Sequence, residues 1–252
     1  MSGVDFKQSW ADSANELYLS VNFLGTTVVI APHPDDESLG CGGIIALLKK
    51  AGRSVKIIFV SDGSMSHPNS KKYPASLLMQ LREKEALTAV KILGVPKKDC
   101  FFMRLKDGAV PHEMDKNFDN AVSVMNNILT SINADAILLP WKHDPHTDHQ
   151  ACWKIINKSL LELDTPVQLY HYLIWFWERG TPDLEIRNAV DWFKIDISTV
   201  IPLKLKAINA HQSQVSKMID DDENGFILSP GVISHFEDQY ELFATFKNQE
   251  KA

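Results

Sequence analysis

The chain has 252 residues, 44% of them hydrophobic and 23% charged, which suits a globular protein with enough length for one large α/β domain or two small ones. Its formal net charge of −6 gives no basic footprint for nucleic acid. No apolar run approaches the ~20 residues of a membrane span and no charged-then-apolar leader opens the chain, so a cytoplasmic protein is expected.

In chain order, residues 1–20 read as a polar amphipathic stretch carrying Trp10, Leu17 and Tyr18. Residues 26–31 (TTVVIA) form a short β-branched run, and a helical pattern over 40–50 stops at Gly52. Residues 55–60 (VKIIFV) give a second strand, and 77–93 a second helix ended by Gly94. A third strand is expected at 100–104, a helix at 118–132, a fourth strand at 134–139 (ADAILL) and a helix at 150–161. Residues 167–175 make a fifth strand, after which the pattern weakens to a strand at 192–197 and a helix at 202–215. Residues 220–223, an acidic run before Asn224-Gly225, read as a solvated turn. Strand–helix alternation with short connections predicts a Rossmann-like, mostly parallel sheet covered by helices on both faces. With no repeat and no linker, a single domain over 1–252 is expected, its core at about 24–178 and the part from 179 to 252 completing the cleft. Two polar, proline-containing loops, 64–76 and 106–117, have the length of lids or specificity elements.

Cys41, Cys100 and Cys152 are odd in number and far apart, without CxxC spacing, and read as reduced thiols. The run Gly40-Cys41-Gly42-Gly43 lacks GxGxxG spacing, so its glycines are expected to allow close helix–sheet packing in place of phosphate binding.

Chemistry concentrates in two clusters, each placed directly after a strand. Residues 32–37 read Pro-His-Pro-Asp-Asp-Glu, and 144–149 read Asp-Pro-His-Thr-Asp-His. In a parallel α/β sheet, ligands bind outside the carboxyl ends of the strands, where such clusters converge. Asp144-Pro145 resembles an N-cap and first helical residue, which would set His146 and His149 on one helix face. His33, Asp36 and His149 would supply two nitrogens and one carboxylate, a donor set of catalytic zinc with a position left for water. Asp35 is then placed to accept that water's proton, and a protonated His146 to stabilise an oxyanion and protonate the leaving group. Asp148 would orient a histidine.

With these residues in view, the segment APHPDDESLGCGG (31–43) and His146-Thr147-Asp148-His149 resemble the LmbE/PIG-L family of zinc-dependent N-deacetylases. The likeness follows motif order and spacing over roughly the first 165 residues. It implies metal at His33, Asp36 and His149, a base at Asp35, an oxyanion-stabilising acid at His146 and a tuning role for Asp148 on His146. On the helix at 77–93, Arg82 and Glu85 share an otherwise apolar face, which predicts either a buried ion pair or a site contact. The family's Arg-x-x-Glu element makes Arg82 a substrate-binding candidate. Asp62 of Asp62-Gly63 fits a family turn near the sugar, although Ser64 follows where the family often has an acid. His211, in AHQSQ, resembles a family histidine near substrate. Trp175 and Trp177 are candidates for the cleft wall or the core. His143 reads as a solvated neighbour, and His67, His112, His171 and His235 as surface or structural groups.

The expected activity is zinc-dependent removal of an N-acetyl group from an N-acetylglucosamine-type sugar or its conjugate, with one Zn2+ or another divalent metal per chain. The expected partner is a small-molecule amino sugar, with no nucleic acid and no membrane span, and homo-oligomerisation is open. The alternatives are metal-assisted hydrolysis of a non-sugar amide or a phosphoester, and a non-catalytic sugar-binding member of the family. That last alternative would be expected to lack Asp35 or His146, and both are present.

Overall fold

The computed structural model describes residues 24–247 except 164, 181, 182, 184, 186 and 187, together with Lys7. The amphipathic reading of residues 1–20 falls, apart from Lys7, outside the described residues. Among these, seven strands form one sheet of order β3-β2-β1-β4-β5-β7-β6. They are β1 (Thr27–Ala31), β2 (Val55–Ser61), β3 (Cys100–Leu105), β4 (Ala136–Pro140), β5 (Gln168–Tyr172), β6 (Val190–Asp196) and β7 (Tyr240–Phe246). The first five are mutually parallel; β7 pairs antiparallel with both β5 and β6. The α-helices whose full extent lies among the described residues are α1 (Asp36–Lys50), α2 (Ala75–Ile92), α3 (Phe118–Ile132), α4 (Thr147–Leu160), α5 (Phe176–Arg179), α6 (Ile201–Ile208), α7 (Gln212–Val215) and α8 (Pro230–Ser234).

The expected α/β architecture is what forms, and the central strands show why. Every residue of β1 and of β4 is buried, as a parallel strand covered on both faces requires. Alternate residues feed opposite cores. Val29, Ala31, Ile57, Phe59 and Leu138 face one cluster with Leu39 and Ile44 of α1 and Ala86 of α2. Val28, Ile30, Ile58, Val60 and Leu139 face the other, with Met125 of α3 and Ile155 of α4. The glycines of α1 serve close approach: a Cβ on Gly40 would stand 2.4 Å from the Tyr172 ring of β5.

The sheet order places β1 beside β4, so chains leave the two strands toward opposite sides and open a crevice between them. The two clusters read from sequence occupy that crevice.

Three differences from the expected elements have physical causes. Helix α1 begins at Asp36, four residues before the periodic pattern, because Asp36 and Glu37 make its first turn. The helix expected at 202–215 is two helices, broken where His211 turns in to Glu37, 3.0 Å from its Nε2. Strand β7 went unread because Glu241 interrupts its apolar character; the carboxylate is buried against Lys204 Nζ at 2.8 Å and the Gly43 and Ile44 amides at 2.7 and 2.9 Å. The acidic run at 220–223 is also more than a solvated turn. Asp221 accepts hydrogen bonds from Ser70 Oγ and the amides of Lys71 and Lys72, and Asp222 accepts one from the Asn69 amide.

Candidate active site

His33, Asp35 and Asp36 leave β1 in a tight turn that runs into α1, and His146 and His149 sit at the start of α4. The three imidazoles form a triangle. His33 and His146 have ring centroids 4.7 Å apart, His33 and His149 5.4 Å, and His146 and His149 5.0 Å. One oxygen of Asp36, Oδ2, lies 3.3 Å from His33 Nδ1 and 3.2 Å from His149 Nε2, and it accepts a hydrogen bond from the His33 amide at 2.9 Å.

The start of α4 differs from the expected one. Asp144 is not its N-cap. His146 is, and its Nδ1 accepts from the Asp148 amide at 3.2 Å. Asp144, fully buried, accepts instead from the amides of His146 at 3.0 Å and Trp175 at 3.0 Å, and faces His149 Nδ1 at 3.4 Å.

The side chain of Asp148 goes to His33, not to His146. Its Oδ2 is 3.2 Å from His33 Nε2, and its two oxygens take the Gly108 and Val110 amides at 2.8 and 3.2 Å. Its link to His146 runs through its own backbone N–H. Asp107 was not singled out from sequence, yet its Oδ1 also stands 3.2 Å from His33 Nε2. Its signal was an Asp-Gly pair just past a strand end, hidden inside a loop read for specificity.

Arg82 reaches the site. Its Nη2 donates to Asp35 Oδ2 at 2.9 Å and to the Pro34 carbonyl at 2.9 Å, and its Nη1 to the Gly63 carbonyl at 3.2 Å. Glu85 does not pair with it; it accepts from the amide and hydroxyl of Ser213 at 2.8 and 2.6 Å. The two substrate-binding candidates Asp62 and His211 are used elsewhere. Asp62 braces its own loop, accepting from the Ser64 and Asp107 amides at 3.0 and 3.1 Å. His211 is buried below the site on Glu37 and Ser38.

The electrostatics follow from packing several carboxylates around three buried rings. Burial works against a charged His149, but Asp36 and Asp144 outweigh it and raise its pKa to about 9. His33 behaves alike: burial is overcome by Asp107, Asp148 and Asp36, and the pKa lies well above the ordinary value. Burial favours a neutral Asp36, yet His149 and His33 hold it well below the usual carboxylate range. Asp35 is raised to about 6 by burial, against the pull of Arg82. His146 is lowered to about 4, first by burial and then by the charge of its two histidine neighbours.

Two sets of ligand atoms lie within 4.8 Å of one another, His33/Asp36/His149 and His33/His146/Asp148. The first fits a divalent cation better. His149 Nε2 is buried without a hydrogen bond and stands 3.2 Å from the Asp36 oxygen that His33 also faces, so it is free to serve as a ligand. In the second set both Asp148 oxygens and His146 Nδ1 already accept backbone N–H bonds, whereas in the first only Asp36 Oδ2 does.

The site opens into a cleft of about 270 Å³. His33, Asp35, Asp36, Arg82, Asp107 and His146 line its floor, while Met65, Trp175, Arg179, Gln214, Phe226 and Leu228 contribute to its walls. Both tryptophans pack in the core, and Trp175 also lines the cleft.

A family model described as "PIG-L: GlcNAc-PI de-N-acetylase" matches residues 28–159. The chain is 26% identical over 202 residues to a probable N-acetyl-alpha-D-glucosaminyl L-malate deacetylase 2 of Bacillus subtilis (strain 168), covering 78% of this chain and 86% of that protein. It is 27% identical over 226 residues to diacetylchitobiose deacetylase of Thermococcus kodakarensis, covering 85% of this chain and 76% of the relative. Its fold is shared by N,N'-diacetylchitobiose deacetylase from Pyrococcus horikoshii, solved with an inhibitor, at a TM-score of 0.60 and 22% identity, over 78% of this chain and 73% of that one.

Proposed function

Because the chain belongs to the PIG-L family, we propose that it hydrolyses the N-acetyl group of an N-acetylglucosamine-type sugar or its conjugate, releasing acetate and the free amine. One observation carries the reading: His33 and His149 converge on a single Asp36 oxygen, with a second buried carboxylate, Asp35, next to it. Relatives named as deacetylases of a glucosaminyl malate and of diacetylchitobiose support the sugar. The whole chain acts as one unit in this reading, since Gln214, Phe226 and Leu228 from the part after residue 178 line the same cleft.

His33, Asp36 and His149 would hold one divalent cation per chain, zinc by the type of donors. Bound there, the ion supplies a Lewis acid for the acetamide carbonyl and lowers the pKa of water at the site. Asp35 takes the proton of the attacking water. A carboxyl raised to about 6 is ionised at neutral pH and still basic enough to accept that proton and release it later. Arg82 keeps the carboxylate aimed.

His146 serves as a neutral donor, not as the protonated acid expected from sequence. Its Nδ1 lone pair is taken by the Asp148 amide, so the neutral ring carries its hydrogen on Nε2. That N–H is available to the oxygen that gains charge as the carbonyl is attacked. The amine then leaves with the proton that Asp35 removed from water. Asp148 and Asp107 together hold His33.

Metal analysis of the purified protein, followed by acetate release from a panel of N-acetylated sugars, tests the reading. Phosphate release from phosphoesters and acetate release from non-sugar amides are measured beside it. About one ion per chain and acetate from sugars are expected. Hydrolysis of phosphoesters or non-sugar amides alone overturns it.

A further inference from the structure

Two arginines line the cleft, and they differ in how they are used. Arg82 is 3% exposed, and its Nη1 and Nη2 donate to Asp35 and two carbonyls. Arg179 is exposed at the end of α5, and no carboxylate pairs with it among the described residues. The neighbouring Glu178 is turned away to His235 Nε2, 2.9 Å from it. The Arg179 guanidinium lies over the Trp175 ring, 4.7 Å from its centroid. Such stacking fixes the plane of the cation and leaves its N–H edges open to a carboxylate or phosphate.

The same indole ties this cation to the chemistry. Trp175 stacks on His146 with centroids 6.3 Å apart and is met edge-on by Phe226 at 5.7 Å. Arg179 therefore stands one ring away from His146, at the mouth, where the group attached to a sugar would leave the cleft if the acetamide sits on the floor. The nearby wall from Met65, Ile174, Phe226 and Leu228 is apolar and offers no competing charge.

We propose that Arg179, laid on Trp175 at the cleft mouth, is a specificity-determining residue that binds an anionic group on the substituent of the amino sugar. The placement of the acetamide rests on the deacetylase reading above.

The test uses the metal-loaded protein and three N-acetylglucosaminides that differ only in the attached group: neutral methyl, a carboxylated hydroxy acid, and phosphate. The quantity read is the ratio of kcat/KM for each anionic glycoside to that for the neutral one, in wild type, Arg179→Gln and Arg179→Lys. A wild-type ratio above about five is expected, carried by KM and shrinking with added salt. It should fall toward one in Arg179→Gln and be partly kept in Arg179→Lys. A ratio near one in the wild type, or a ratio that Arg179→Gln leaves unaltered, overturns the proposal. A preference for one anion over the other identifies the source of the charge. Acetate release from none of the three would overturn the deacetylase reading instead. Calorimetric binding of the same glycosides to wild type and Arg179→Gln then decides the role of Arg179 by the same ratio.

Discussion

Adjacent aspartates at positions 35 and 36 turn their carboxylates to different partners: Asp35 meets Arg82 at 2.9 Å, while Asp36 meets His33 and His149 at 3.3 and 3.2 Å. The division predicts separable losses. Asp35→Asn keeps the shape of the side chain and its place beside Arg82 but cannot take a proton. We expect metal content to remain at the wild-type level while acetate release falls by about 10²–10⁴-fold, the range typical of a lost general base. Metal analysis and initial rates on the same preparation check this, and wild-type turnover in the variant would remove Asp35 from the proton path. At this scale the sequence was most legible where a donor set was compact. His33, Asp35, Asp36, Arg82 and His146 are brought to one cleft, with His149 buried behind the first three. Asp107, 3.2 Å from His33, lay in a polar loop whose course no local pattern fixes. Asp62 and His211 were expected against substrate, but Asp62 Oδ1 accepts from turn amides and His211 Nε2 is held on Glu37, contacts that no local pattern announces.

Most elements were legible because each carries its own periodicity or punctuation, as in the apolar run of β1 and the stop of α2 at Gly94. What stayed hidden were contacts made across long stretches of chain. The loop at 64–76 is bound at Asn69–Lys72 by Asp221 and Asp222 from the far end of the sequence, and the Phe226 amide donates to the Ser66 carbonyl at 2.6 Å. Met65, Ser66, Phe226 and Leu228 from these two braced segments all line the cleft. Removing the carboxylate that holds three donors should loosen this wall without touching the floor. Asp221→Ala is expected to speed amide hydrogen exchange at residues 66–73 and to raise KM several-fold with a smaller change in kcat. Unchanged exchange in that segment would mean the clamp is incidental.

Across the whole molecule, the strand order brings two clusters more than a hundred residues apart in sequence to neighbouring strand ends. The same packing leaves groups whose titration bears on folding. His171 of β5 is buried between Trp141 and Phe246, and burial lowers its pKa to about 4 despite the Pro140 carbonyl near its Nδ1. The unfolded chain protonates this ring near pH 6.5 and the folded chain does so only near 4. Between those values the unfolded state holds the extra proton, so stability must fall as pH falls through the window. His171→Phe removes that term, and its unfolding free energy from urea titration should drop less steeply from pH 6.5 to 4.5, by about 2 kcal/mol across the range. Parallel pH profiles in the two proteins would sink the assignment. The least legible part of the fold was the C-terminal extension of the sheet, where β7 slips between β5 and β6. The inserted strand carries a buried Glu241–Lys204 pair, which a pattern of apolar residues cannot announce. That insertion also sets a schedule for synthesis. Residues 190–196 emerge from the ribosome well before their one strand partner in the described sheet, residues 240–246. A nascent chain stalled between them carries a ready β6 with nowhere to dock and a bare β5 edge, and so is a natural client for whatever shelters unfinished proteins.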